Sequence, residues 1–165
     1  MNQKTRILIA FGIIIILIGV VIGLDYVRGQ RIAAQIDASL EPGDIPVYWN
    51  SALRAAFSPA DLDPLTPASF IDAEEGKTQD GWMLKDVLLV YFRETQFSED
   101  TIIKVISTSR EKSMDLTWAE VSNTDNKVMF DLSGRGTLKL VSLLERLDVR
   151  DEWIQDVDRI EISTQ

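Results

Sequence analysis

Apolar residues run without interruption over residues 7–24 (ILIAFGIIIILIGVVIGL), eighteen positions with no charge and no strong polar group. As a helix this run spans roughly 27 Å, close to the hydrocarbon thickness of a bilayer. Helix is the conformation that satisfies the backbone of a lone span in lipid. A cleaved signal peptide is the competing reading. The run exceeds a usual signal core, and no A-x-A-like site follows closely, because Ile36 and Asp37 stand between Ala34 and Ala38. The pattern therefore predicts an uncleaved anchor.

Beyond the span the pattern changes. Residues 25–39 continue the helix out of the membrane, and residues 39–46 (SLEPGDIP), with two prolines and a glycine, read as a linker. Trp49, Ala52, Leu53, Ala56 and Phe57 fall at i, i+3, i+4, i+7 and i+8, which predicts an amphipathic helix. Pro59, Pro64 and Pro67 make residues 58–69 a loop. After Gly81, the spacing of Leu84, Val87, Leu88 and Tyr91 predicts a mostly buried helix over residues 82–92.

Four strand signals follow. Residues 101–107 (TIIKVIS) are short and β-branched. Val128, Phe130 and Leu132 alternate with Met129 and Asp131, Gly134-Arg135-Gly136 is a turn, and residues 137–141 (TLKLV) alternate again, so residues 127–141 predict a hairpin. Residues 143–157 read as helix or loop around Trp153, and residues 159–163 (RIEIS) as a terminal strand. Helices and strands without a regular βαβ rhythm predict an α+β domain with a mixed sheet. The organisation is a tail (1–6), a transmembrane helix (7–24), a juxtamembrane segment and linker (25–46) and one soluble domain (47–165).

Charge sharpens this picture. The chain carries −9, and residues 1–31 carry +3 (Lys4, Arg6, Arg28 and Arg31 against Asp25), which leaves −12 on the remainder. So acidic a domain repels nucleic-acid phosphates and stands off from an anionic lipid surface. Basic residues flank the span almost equally, and the short N-terminal tail favours a cytoplasmic N-terminus with the domain outside the cytoplasm, on a cell membrane. Gly12, Gly19 and Gly23 share one helical face and include a GxxxG, a spacing that lets helices approach closely.

The chain has no Cys and no His. That removes thiolate nucleophiles, usual zinc sites, iron–sulfur clusters and any Ser-His-Asp triad. It does not choose a redox compartment.

Three segments resemble a known family. Gly81-Trp82-x-Leu84-x-Asp86-Val87-Leu88 resembles the G-x-x-L-x-D-V-L segment of the molybdopterin-binding domain of sulfite-oxidase-type oxidoreductases. Residues 136–141 (GTLKLV) resemble its G-x-P-x-R-L-V strand, and residues 152–162 (EWIQDVDRIEI) its K-W-(V/I)-x-x-I-x-x-I-x-(V/I) ending. The resemblance implies that fold. It departs from the family in lacking the metal-binding cysteine and in carrying Leu138, and Leu140 flanked by Lys139, where the family's strand has its Pro and Arg. The chain thus looks like a cofactor-free, membrane-anchored relative.

Several residues are candidates for chemistry. Asp72, Glu74, Gly76, Thr78 and Asp80 place oxygens at alternate positions, as calcium loops do, but Met83 stands where an EF-hand has Glu, so a solvated acidic loop is expected. Ser107-Thr108-Ser109-Arg110 follows a strand, and Arg110, Lys112, Arg135 and Lys139 are possible anion donors. Turn and hairpin roles compete with these readings. Trp82 and Trp153 are expected in the core, whereas exposure of Trp49 or Trp118 would mark a docking surface. The adjacent acids Asp151 and Glu152 receive no catalytic role, since chance pairing is expected in so acidic a chain.

The leading expectation is a membrane-anchored, non-catalytic binding or complex-organising module, with no metal and no cofactor. Its partner is a protein, or a second copy met through the transmembrane helix. One alternative is a redox subunit binding a pterin or other anion through Arg110, Arg135 or Lys139. Another is a structural subunit acting through Gly12, Gly19 and Gly23.

Overall fold

The computed structural model describes residues 3–164. Side chains of residues 3–10, 25, 26 and 32 lie outside that description, including those of Lys4, Arg6 and Asp25 and residues 7–10 of the apolar run.

One helix, α1 (Gln3–Ser39), runs through the apolar segment and beyond it. Residues 3–6, expected as a tail, are already helical. The stretch Phe11–Ser39 is long and apolar enough to cross a membrane, and its large apolar side chains, Phe11 to Val27, are exposed. The continuation to Ser39 agrees with the sequence reading. The linker is shorter than predicted, because Ile45 and Pro46 already belong to the first strand.

The domain contains two sheets. Sheet A has the order β2-β1-β9-β5-β6 and joins β1 (Ile45–Trp49), β2 (Ala52–Phe57), β5 (Ile102–Ser107), β6 (Lys112–Thr117) and β9 (Arg159–Ser163). It is mixed, because β1 and β9 are parallel and the other pairs antiparallel. Sheet B is antiparallel, in the order β3-β4-β7-β8: β3 (Ala68–Ile71), β4 (Thr78–Met83), β7 (Met129–Leu132) and β8 (Leu138–Val141). Two helices complete the domain, α2 (Leu84–Tyr91) and α3 (Trp118–Ser122). This is the α+β class that the pattern predicts, with the segments of the family resemblance falling on β4–α2, β8 and the chain into β9.

One core unites these layers. Ile45, Val47, Ala55, Phe57, Ile103, Val105, Leu116, Ile160 and Ile162 line the inner face of sheet A, alternating with outward residues such as Lys104 and Glu161. Leu84, Val87 and Leu88 of α2 and Phe130, Leu138 and Leu140 of sheet B join the same cluster. The outer face of sheet B carries a smaller cluster of Phe70, Met83, Met129, Val141 and Trp153.

The expected helix from Trp49 to Phe57 is instead the β1–β2 hairpin. Asn50 and Ser51 form its two-residue turn with φ of 48° and 66°, the left-handed pair that matches strand twist. Asn50 also accepts from the Thr164 backbone N–H and donates to Thr164 Oγ1. The predicted helix over residues 82–92 begins later, since Trp82 and Met83 end β4. Gly81 is required there: a Cβ would lie 1.8 Å from the Phe130 carbonyl oxygen across the β4–β7 ladder.

Candidate functional site

Three chain segments meet at one end of the domain: the β5–β6 turn, the β7–β8 turn and the loop of residues 142–158. Asp156 clamps them. Its carboxylate accepts from Arg110 Nε (2.7 Å), from Arg135 Nη2 (2.9 and 3.0 Å) and from Thr137 Oγ1 (2.8 Å). These bonds, led by that from Thr137, hold the Asp156 carboxyl below its ordinary value. Asp156 adopts φ 56°, a left-handed conformation that Asp tolerates better than most residues. Thus Arg110 and Arg135, separate candidates in the sequence, are brought together.

Lys139 lies beside them on β8. Its Nζ donates to Gln79 Oε1 (2.8 Å), pairs with Asp131 (3.0 Å) and sits 4.8 Å from the centre of the Trp153 ring. Burial pushes the Asp131 carboxyl up, against the pull of Lys139. Gln79 passes the network to Asp72, which also accepts from the Glu75 N–H at 2.6 Å. That backbone bond comes first among the causes that lower the Asp72 carboxyl. Asp72 itself is buried, while residues 73–78, Glu74 and Glu75 among them, stay exposed as the solvated-loop reading expects. It holds the β3–β4 turn, while Glu74 accepts from the Arg150 N–H and Glu75 pairs with Lys77. The calcium-like spacing does not converge, and among the described residues no group of three acids could hold a metal ion.

The surface between these elements is hollow. A cleft of about 410 Å³ is lined by Lys77, Arg135, Lys139 and Arg150 with Glu75 and Trp153. A second hollow of about 220 Å³, sharing Arg150, Trp153 and Gln155, adds Arg110 and Lys112. Six of the thirteen basic residues beyond residue 31 therefore line two adjoining hollows of a domain whose net charge is −12. The acids that line them are Glu75 and Asp151, while Asp131, Asp156, Asp72 and Glu74 pair with lining residues from the frame beneath, so the lining itself is basic. The cations differ in reach: Arg110, Arg135 and Arg150 side chains are 43%, 59% and 59% exposed, and Lys139 is 19% exposed. Solvated guanidiniums on a buried frame can turn towards an oxyanion and meet it with paired N–H donors.

Other candidates take structural roles. Thr108 donates through its N–H and Oγ1 to Asp158, which fixes the Ser107–Arg110 segment as a turn. Lys112 Nζ donates to the carbonyls of Asp151 and Trp153 and anchors the loop that carries them. Trp118 and Trp153 are buried, and Trp49 and Trp82 are half-buried, so neither Trp49 nor Trp118 forms an exposed docking surface. Trp49 packs on Phe92 and Phe97, and Phe97 stacks on Trp118 at 4.0 Å. Nothing lies within 4 Å of a Cβ placed at Gly12, Gly19 or Gly23, so that face of α1 is open along its length. Sequence reasoning missed Lys77, Arg150 and the clamp Asp156. Their signal is basic residues repeated in several turns, and it becomes visible only once the turns share one edge.

No family model matches the chain, and no curated protein matches it.

Proposed function

We propose that this protein is a membrane-anchored, non-catalytic binding module whose domain captures an anionic ligand in the basic cleft around Trp153. The observation that carries this reading is the gathering of six cations on two adjoining hollows of an otherwise acidic domain. Such a surface focuses the field and selects for negative charge. Binding suits it better than catalysis, because a nucleophile or general base has no His or Cys to draw on and Lys139 is held by three partners. The anchor keeps the cleft near a membrane, and the short N-terminal tail favours the extracytoplasmic side for the domain.

A second reading is a relationship to the molybdopterin-binding domain. Residues 136–141 and 152–162, which carry the resemblance, supply Lys139, Trp153, Gln155 and Asp156 to the cleft. The cations fit the phosphate of a pterin. The thiolate that would ligate the metal does not fit this chain, which has no Cys, so no redox step is assigned to it.

The test is to purify the full chain in detergent at low salt and identify what accompanies it by mass spectrometry and elemental analysis. An anionic small molecule or an anionic partner segment, lost on raising the salt and absent from Arg110→Gln/Arg135→Gln, supports the module. Retention that neither salt nor the variant alters would sink it. Molybdenum or tungsten at stoichiometric amounts would replace it with the redox reading.

A further inference from the structure

The six cations of the cleft are not equally free to act on a ligand. Lys77 pairs with Glu75, Lys139 is held by Gln79 and Asp131, and Lys112 Nζ donates to the carbonyls of Asp151 and Trp153. The three arginines keep donors to spare. Asp156 uses only the Nε of Arg110 and the Nη2 of Arg135. Among the described residues Arg110 therefore retains both terminal nitrogens, and Arg135 its Nε and Nη1. The Arg150 guanidinium meets Glu75 only at 3.8 Å.

These arginines are divided between the two hollows. Arg135 lines the larger, Arg110 the smaller, and Arg150 both. Arg110 Nε and Arg135 Nη2 bond the same oxygen of Asp156, at 2.7 and 3.0 Å, so guanidiniums of different hollows stand within about 6 Å of each other. Like charges at that range repel, and the shared carboxylate offsets the repulsion and fixes their spacing. The pair is thus ordered before a ligand arrives, which lowers the cost of binding. The smaller hollow also carries Asp151, whose carboxylate is exposed and has no partner among the described residues. A lone anion finds that seat the weaker of the two. An anion tethered to one already seated in the larger hollow arrives at high effective concentration and fills it.

We infer that the cleft takes a ligand with two linked phosphate groups, one seated in each hollow. Arg135 holds one group, Arg110 the other, and Arg150 spans the pair. A phosphate presents oxygens in more directions than a planar carboxylate, so each group can meet Arg150 as well as the arginine of its own hollow. This rests on the reading of the cleft as an anion site and adds the number and spacing of the charges it accepts.

Calorimetric titration of the full chain in detergent, at fixed ionic strength, compares pyrophosphate with orthophosphate. One pyrophosphate per chain is expected, bound at least about ten-fold more tightly than orthophosphate. Two orthophosphates per chain are expected, of unequal strength. Arg110→Gln and Arg135→Gln each remove a different one of those two, whereas each weakens pyrophosphate about ten-fold. Asp151→Asn tightens pyrophosphate about three-fold. Tryptophan emission checks that each variant is folded. Adenosine diphosphate, offered in parallel, reads the source: binding as tight as pyrophosphate fits an esterified diphosphate and weaker binding a free one, the two-seat chemistry holding in both. One orthophosphate per chain lost in either variant, pyrophosphate no tighter than orthophosphate, or an affinity unmoved by Asp151→Asn overturns the two-seat site and leaves a single anion site. Absence of binding by both anions instead overturns the anion site itself.

Discussion

Asp156 is the group on which the geometry of the cleft turns, and Asp156→Asn tests it with little steric change. Asn tolerates the left-handed backbone at φ 56° at least as well as Asp, so backbone strain does not enter. What changes is charge. The two arginine partners are 43% and 59% exposed, so each pair contributes only about 0.5 kcal/mol after solvent screening. The Thr137 hydroxyl loses a charged acceptor for a neutral one, worth about 1 kcal/mol more. The expected loss is about 2 kcal/mol. With a urea slope of about 1.5 kcal/mol/M for a domain of this size, the midpoint falls by about 1 M.

Tryptophan emission is the natural readout, because Trp49, Trp82, Trp118 and Trp153 all lie in the domain and none lies in α1. The pH dependence follows from the sign of the shift. A carboxyl held below its ordinary value of 3.8 contributes stability that is present above that value and is lost as pH falls through the lower native one. The gap between wild type and variant should therefore close in acid. An unchanged midpoint at neutral pH, or a gap that persists undiminished near pH 2, would refute the clamp.

Two further predictions concern the frame. Glu120 is pulled down to about 2 chiefly by its 2.7 Å bond from Arg146, and it also closes the capping box of α3 with Thr117. Glu120→Gln should cost about 1–2 kcal/mol above the ordinary Glu value, a difference that fades as pH falls towards 2 and is checked by urea midpoints across pH. Gly81→Ala should cost about 3 kcal/mol or more by forcing β4 from β7, whereas Gly134→Ala, with open space around it, should be nearly neutral; thermal melts compare them.

The sequence disclosed elements whose patterns fit one period only. β5 and β9 alternate cleanly between buried and half-buried positions, β7 and β8 each set one charged residue between apolar ones, and α2 keeps Leu84, Val87 and Leu88 on one face. The β1–β2 hairpin was hidden because Leu53 and Phe57, four apart, satisfy both the helical and the strand period. Its turn also uses Asn-Ser without the glycine that usually announces such a loop. β4 and β6 were hidden for another reason. Gln79 is a polar residue facing a small covered cluster, and β6 buries only Leu116. Arg110, Arg135 and Lys139 were visible as separate basic positions. Their convergence was not, because it depends on Asp156 and on which turns share an end of the two sheets. The contact of Arg54 with α1 at Gly29 was equally invisible, since strand pairing carries it back there.

The central claim is that the cleft around Trp153 binds an anion. Calorimetric titration of the full chain in detergent with inorganic pyrophosphate tests it most directly. The account predicts binding that weakens as salt is raised and falls about ten-fold for each of Arg110→Gln and Arg135→Gln, the cost of one charge-assisted hydrogen bond. No binding at low salt, or binding of equal strength in wild type and in the double variant, would contradict it.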